Sequence, residues 1–134
     1  MPISNITELA AIDGMDRVSF EILLPHVIAL PGRTPVNVNT ASVQVLQSLG
    51  PNIDLGTAEG LMQMRENGGF ADYSGVFAPL VARDLVPLIS ETSDYFLLKS
   101  VVKIDTVRVS LFTVLHRNAS NGAVAPILRS LGTI

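Results

Sequence analysis

The sequence predicts an α+β fold in which a helical hairpin subdomain precedes an antiparallel β-sheet. Up to about residue 90, apolar side chains recur at the spacing of a helical face, between breaks of Gly and Pro. From residue 93 the apolar period shortens from 3.6 to 2, which is typical of a half-buried strand. We therefore predict a helical domain at residues 1–90 and a sheet domain at residues 91–134.

Composition narrows the class of protein. Of the 134 residues, 48% are hydrophobic and 16% are charged, which is enough to bury a core and argues against disorder. Cysteine is absent, which excludes a disulfide framework and a thiolate metal site. No run of about 18 apolar residues is present, so we expect neither a transmembrane helix in this sequence nor a signal peptide.

The first helices follow from their capping residues. Ser4 or Asn5 can cap a short turn, and Asp16 can cap a second helix. Pro25 should kink or end that second helix, because it lacks an N–H group. The predicted apolar face of the second helix consists of Phe20, Leu23, Leu24, Val27 and Ile28.

Two further helices form the predicted hairpin. Asn39 or Thr40 is expected to cap the third helix, and Asp54 or Thr57 the fourth. The glycines at 68 and 69 should end the fourth helix through a left-handed cap. The predicted buried face of the third helix is Ala41, Val45, Leu46 and Leu49. The fourth helix is predicted to carry Leu55, Ala58, Leu61 and Met62 on one side. A short helix at residues 74–80 should follow.

The sheet domain begins with a predicted hairpin. A two-residue turn at Asp105-Thr106 would pair Ile104 with Val107 and Phe96 with Leu115, so that apolar faces coincide. A longer loop is the alternative, since Asp-Thr is a weaker turn signal than Asp-Gly. Asn121-Gly122 predicts a second turn, and residues 123–128 a third strand. Pro126 places that strand at an edge.

The sequence contains no recognisable catalytic constellation. The two histidines, His26 and His116, are interpreted as packed or surface residues. Arg65 lies in the last turn of its predicted helix, where a cation offsets the helix dipole and can bond free carbonyls. A phosphate contact is the functional alternative for Arg65.

The helical hairpin resembles the helix-hairpin-helix of the ComEA competence proteins, which bind DNA. The shared pattern is Asn37, Asn39, Thr40, Ala41, Ser42, Leu46, Leu49, Ala58, Leu61, Arg65, Gly69 and Phe70. The resemblance implies a turn whose backbone N–H groups hold a phosphate. Here Pro51 removes one donor and Asp54 adds a negative charge at that turn. The net charge of −3, with no basic face around residues 50–60, argues against nucleic acid as a partner.

Over nearly its whole length the sequence also resembles the minor pseudopilin K (GspK) family of type II secretion. The resemblance rests on the order of several short motifs. They are Glu8-Leu9 with Gly14-Met15, Leu30-Pro31-Gly32 before residues 34–41, Arg65 with Gly69-Phe70, Ser93-Asp94-Tyr95-Phe96, Leu115-His116-Arg117, and residues 128–132.

This second resemblance implies a pilin-like sheet with a helix-hairpin-helix or SAM-like helical insert, corresponding to the C-terminal portion of the family. It implies a non-enzymatic subunit at the tip of a periplasmic pseudopilus, with minor pseudopilins I and J as partners. The inner membrane would be reached only through an N-terminal helix that this sequence lacks. No cofactor is expected, although some family members bind calcium; Asp94 and Asp105 are loop-adjacent carboxylates without an assigned role. The expected structural motif residues are Asn37, Asn39, Thr40, Ala41, Arg65, Gly69, Phe70, Tyr95 and Phe96.

Overall fold

The structure, a computed structural model, describes residues 5–131 and is mixed α and β, as the sequence predicts. Ser4 and Gly132, which entered the predictions above, lie outside the described residues. The chain divides into two compact units, one ending at Thr92 and one beginning at Ser93. Over the described range no helix is long and apolar enough to cross a membrane.

The first unit opens with short helices whose caps follow the sequence. Asn5 and Glu8 form a capping box at the start of a 3-10 helix, Ile6–Ala11. Helix α1, Arg17–Leu23, begins after Asp16, whose Oδ1 accepts the Ser19 N–H at 2.6 Å. Pro25 lies in the 3-10 helix Leu24–His26 that ends α1, as predicted.

The predicted apolar face of this second helix is wrong. The α-helix stops at Leu23. The residues after Leu23 are therefore not in the same α-helix and cannot lie on its face. Only Phe20 is half-buried, whereas Leu23, Leu24, Val27 and Ile28 are exposed.

Helix α2, Val43–Ser48, and helix α3, Leu55–Glu66, pack on each other. Asp54 caps α3 as predicted, accepting the Thr57 N–H at 2.8 Å. After α3, Gly68 and Gly69 adopt φ of +111° and +87°, the left-handed conformation that glycine tolerates. Helix α4, Tyr73–Phe77, is capped by Asp72 and followed by a 3-10 helix, Val86–Leu88.

The predicted cap of α2 is wrong, because Ser42 and not Asn39 or Thr40 is its N-cap. The Ser42 Oγ accepts the Val45 N–H at 3.3 Å. Asn39 is unavailable for capping because its side chain bonds to two distant backbone groups, as described below.

The core of the first unit is formed by these helices and the segments that join them. Its largest fully buried side chains are Phe77, Leu46 and Val38. Burying each such side chain stabilises the fold by about 1.5–3 kcal/mol. The other buried members are Ala41, Ile53, Ala58, Leu61, Phe70, Val81 and Ile89.

A small parallel sheet inside the helical unit was not predicted. Strand β1, Val36–Asn37, pairs with β2, Ile89–Ser90, and the Val38 N–H donates to the Ser90 carbonyl at 2.9 Å. Two-residue strands are too short to show a period, and their pairing joins residues more than 50 positions apart.

In the described residues the second unit is an antiparallel sheet in the order β3-β4-β5. Strand β3 is Tyr95–Ile104, β4 is Val107–Arg117 and β5 is Val124–Leu131. The predicted register is confirmed, since Ile104 pairs with Val107 and Phe96 with Leu115. Asp105 in the tight turn adopts a φ of +54°, a conformation that Asp tolerates better than most residues.

Strand β5 is an edge strand of the sheet that the described residues form, as Pro126 predicts. The register shifts between Val114 and Leu115, so that Pro126 and Ile127 together occupy the space opposite Leu115. This register shift is a β-bulge in β5. Before the bulge, the Asn118 N–H donates to the Ala123 carbonyl, so these two residues form a hydrogen-bonded pair. Along the ladder, such pairs alternate with pairs whose N–H and C=O groups point away from the partner strand. In that alternation the nitrogen of Pro126 faces the outer edge, where its missing N–H breaks no bond to β4.

Few side chains of this sheet are buried. Val114 and Thr113 are the buried members among the described residues of the second unit. The apolar side chains of β3 remain largely exposed, including Leu97 at 53% and Ile104 at 69%. The aligned apolar faces of the hairpin are therefore present, but they remain open to solvent.

Candidate functional site

Four of the nine predicted motif residues lie on one segment, residues 36–41, that leads from β1 towards α2. Asn37 shapes this segment. Its Oδ1 accepts the Asn39 N–H at 2.9 Å, and its carbonyl accepts the N–H groups of Thr40 and Ala41 at 3.2 and 3.0 Å. Such local bonds from an Asn favour a turn over a helix. The turn directs Val38 and Ala41 into the core.

Arg65 joins the last turn of α3 to this segment. Its Nη1 donates to the Val38 carbonyl at 2.7 Å, and the side chain is half-buried. A charged donor makes this bond stronger than a neutral one. The guanidinium is therefore engaged inside the unit, through the carbonyl of another segment and not through the free carbonyls of its own helix.

Asn39 bridges two segments of the first unit that are distant in sequence. Its Oδ1 accepts the Phe70 N–H at 3.0 Å, and its Nδ2 donates to the Glu91 carbonyl at 3.2 Å. One side chain thus holds the chain that leaves α3 and the chain that leaves β2. Gly69 has a φ of +87°, and a β-carbon added there would lie 3.1 Å from Asn39 Oδ1, so any other residue would be strained and would crowd the bridge.

Phe70 anchors this bridge in the core. Its ring meets Phe77 edge to face, with centroids 5.3 Å apart and planes at 85°. This is a preferred aromatic geometry. Asn37, Asn39, Arg65, Gly69 and Phe70 thus form one continuous set of contacts, which we call the Asn39 cluster.

Thr40 and Ala41 lie on the edge of the Asn39 cluster. Thr40 is exposed, and its Oγ1 lies 3.5 Å from the Asn37 carbonyl. Ala41 is buried between the turn and α2.

The other two predicted motif residues, Tyr95 and Phe96, lie in the second unit at the start of β3. The Tyr95 ring lies against His116, with centroids 4.7 Å apart, and Arg117 lies over Phe96 at 5.8 Å. Arg117 also donates to the Ser93 carbonyl at 2.9 Å and reaches Asp94 at 3.4 Å. The motif residues therefore form two separate groups, one in each unit.

The turn that would hold DNA phosphate in a helix-hairpin-helix carries a carboxylate in its place. Asp54 Oδ1 accepts the Thr57 N–H, and this hydrogen bond lowers the pKa of Asp54 below its ordinary value. The ionised carboxylate occupies the N-terminus of α3, where a phosphate would have to bind. The DNA-binding alternative is not favoured.

The described residues offer no assembled metal centre. Across positions 5–131, no three side chains among His, Cys, Asp and Glu come close enough to hold a metal ion. Asp94 and Asp105 flank opposite ends of β3, about 36 Å apart at a rise of about 3.3 Å per residue, so they cannot share a calcium ion. His26 Nδ1 lies 3.2 Å from Ser42 Oγ, but that serine hydroxyl is the cap of α2.

Comparisons with known proteins agree on one family. Residues 36–85 match the family model described as type II secretion system (T2SS), protein K. Over 131 residues the chain is 30% identical to type II secretion system protein K of Pseudomonas aeruginosa, covering 96% of this chain and 38% of that protein. The resemblance to this family that the sequence motifs indicate is confirmed.

The fold has also been seen in a crystal structure. The chain matches, with a TM-score of 0.76 and 22% identity, a chain in the GspK-GspI-GspJ complex of the enterotoxigenic Escherichia coli type 2 secretion system. The match covers 100% of this chain and 50% of the other. The chain thus spans about half or less of the length of the relatives it matches.

Proposed function

We propose that this chain is a portion of a minor pseudopilin K and serves as a structural subunit of the type II secretion pseudopilus. The observation that carries this proposal is that the sequence comparison and the structural comparison match the chain to the same kind of protein. The chain aligns with protein K at 30% identity over 96% of its length, and it also matches, over its full length, a chain of the GspK-GspI-GspJ complex. A shared fold alone would not support a shared function.

The chemistry of the described residues supports a structural role and not a catalytic one. The polar motif side chains of the Asn39 cluster bond to backbone groups of their own unit. Arg65 bonds to Val38, and Asn39 bonds to Phe70 and Glu91. These side chains fix the shape of a surface, and they are not poised towards a substrate. We infer that the protein acts through that surface, without a cofactor.

The finer features of the fold belong to the same proposal. We infer that α2, the turn at residues 49–54 and α3 keep the scaffold of a helix-hairpin-helix or SAM-like module. Pro51 and Asp54 would have abolished its ability to bind phosphate. The sheet of the second unit would be the pilin-like part, into which the helical part is inserted.

We infer that the full-length protein works in the periplasm, anchored to the bacterial inner membrane through an N-terminal helix outside this sequence. Its partners would be minor pseudopilins I and J of the same secretion system, with which it would form and cap the pseudopilus tip for protein export. The support for these partners is the composition of the crystallised complex.

The proposal is tested by co-elution of this chain with the soluble domains of minor pseudopilins I and J on size exclusion. We expect a complex that contains all three proteins. Far-UV circular dichroism of the isolated chain serves as a control for folding.

If a folded chain does not co-elute, the full-length protein without its membrane helix is tested in the same way. Binding by that longer protein alone would place the interface outside these residues. Failure of both would overturn the proposal.

A further inference from the structure

The dipeptide Asn-Gly occurs twice in the sequence, at Asn67-Gly68 and at Asn121-Gly122. An asparagine in this setting is prone to lose its side-chain amide spontaneously, because the following glycine has no side chain to hinder its own nitrogen. Both pairs lie in turns, and both are exposed. Exposure therefore does not distinguish the two sites, and their hydrogen bonds must.

The reaction requires two groups to be free. The glycine nitrogen loses its proton and attacks the asparagine Cγ, so that a C–N bond forms and the amide nitrogen leaves as ammonia. Water then opens the cyclic imide at either of its carbonyls, which gives aspartate or isoaspartate. Water is the only co-reactant. A hydrogen bond from the glycine N–H, or one that holds the asparagine side chain away from it, opposes the attack.

Both groups are held at Asn121-Gly122. The Gly122 N–H donates to the Asn118 carbonyl at 2.8 Å. The Asn121 Oδ1 accepts the Ala123 N–H at 2.9 Å, which directs this side chain along the turn. Attack on Asn121 requires both bonds to open, so the fold protects this site.

The same two groups are free at Asn67-Gly68. Within residues 5–131, neither the Gly68 N–H nor the Asn67 side chain has a hydrogen-bond partner. The cause is local. Helix α3 ends in a left-handed turn, in which the N–H of Gly69 and not that of Gly68 bonds back to the Arg65 carbonyl, at 2.7 Å.

We propose that Asn67 is a site of spontaneous modification, at which the folded chain forms aspartate and isoaspartate, and that Asn121 is protected from the same reaction. This inference is independent of the function proposed above, because it rests only on contacts within the two turns.

Modification at position 67 acts on the Asn39 cluster. Isoaspartate adds one methylene to the backbone between Arg65 and Phe70. Arg65 is bonded to the Val38 carbonyl and Phe70 to the Asn39 side chain, so the inserted atom lies between two fixed points. The isoaspartate form should therefore be less stable than the unaltered chain.

The test compares the two sites within one molecule. The chain is incubated at mildly alkaline pH, and trypsin then places the sites in separate peptides, residues 66–83 and 118–129. Mass spectrometry follows the replacement of the amide by a carboxyl group, and fragmentation assigns it to Asn67 or Asn121. In the folded chain Asn67 should react about tenfold faster than Asn121, the factor expected when one site must open two hydrogen bonds.

The same incubation in concentrated urea is the control, because unfolding removes the bonds that protect Asn121. There the two sites should react at similar rates. The full-length protein without its membrane helix should rank the sites as the isolated chain does. Equal rates in the folded chain, faster reaction at Asn121, or a reversed ranking in the longer protein would each overturn the proposal.

A second measurement tests the effect on the Asn39 cluster. The reacted chain carries an added negative charge, so ion exchange separates it from the unreacted chain. Its isoaspartate fraction should unfold at a lower urea concentration than Asn67→Asp, which adds the same charge without lengthening the backbone. Asn67→Ser, which cannot form the imide, should keep its stability through the same incubation. Unfolding of the reacted chain together with Asn67→Asp would refute the effect on the cluster.

Discussion

Replacing Asn39 by Ala should destabilise the first unit more than its partly exposed position suggests. The substitution removes the bonds to the Phe70 N–H and the Glu91 carbonyl. Each hydrogen bond contributes about 0.5–1.5 kcal/mol net, and a buried donor left without a partner costs about 1–3 kcal/mol. Phe70 is only 7% exposed, so its N–H has little access to water. We expect the free energy of unfolding to fall by about 2–4 kcal/mol.

Replacing Asn39 by Asp separates the contributions of the two hydrogen bonds, because an ionised aspartate can accept a hydrogen bond but cannot donate one. Asn39→Asp keeps an acceptor for the Phe70 N–H but replaces the donor to Glu91 by a carboxylate oxygen. Its loss should therefore be smaller, about 1–2 kcal/mol. Asn52→Ala is the matched control. It makes the same change at an exposed turn residue, where surface substitutions stay within about 0.5 kcal/mol.

Urea denaturation followed by far-UV circular dichroism measures this series, because the described helices all lie in the first unit. The expected order of stability is the unaltered chain with Asn52→Ala, then Asn39→Asp, then Asn39→Ala. A loss for Asn39→Ala no larger than that of the control would refute the bridging role. Equal losses for Asn39→Ala and Asn39→Asp would refute the importance of the bond to Phe70.

Three further substitutions test other contacts of the first unit. In thermal denaturation, Gly69→Ala should destabilise the chain by more than Gly14→Ala. Both glycines have a positive φ, a conformation that costs alanine about 1–2 kcal/mol. Only at Gly69 would the added β-carbon also crowd Asn39. Arg65→Met should lower the free energy of unfolding by about 1.5–3 kcal/mol through loss of the charged bond to Val38, whereas Met at the exposed Arg83 should not. The pKa of Asp54 is lower in the folded chain than its ordinary value of 3.8. The ionised Asp54 carboxylate therefore stabilises the fold above pH 3.8, and this stabilisation is lost as the pH falls through the pKa of Asp54 in the folded chain. Asp54→Asn, which still caps a helix, should therefore flatten the acid limb of a stability–pH curve below about pH 4, and an unchanged limb would contradict this cause.

The features that the sequence predicts correctly are those with local causes. Asp16 and Asp54 start helices because a short acceptor precedes an apolar period, and the register of β3 with β4 follows from a two-residue turn and matched apolar faces. The wrong cap of α2 arises because distant residues compete for the same side chain. Asn39 has the right chemistry for an N-cap, but Phe70 and Glu91 lie nearby in the fold and take its side chain. The pairing of β1 with β2 is equally non-local, so no period in either segment reveals it.

The Asn39 cluster also explains how one motif can suggest two functions. The residues shared with the DNA-binding helix-hairpin-helix are those that hold α2, α3 and the preceding segment together, and their side chains bond to backbone inside the unit. The groups that would contact DNA phosphate are the backbone N–H groups of the turn between the helices. That turn carries Pro51, without a donor, and Asp54, whose ionised carboxylate satisfies the first turn of α3. The shared positions therefore specify a scaffold, and the function must be read from the turn, which here repels phosphate.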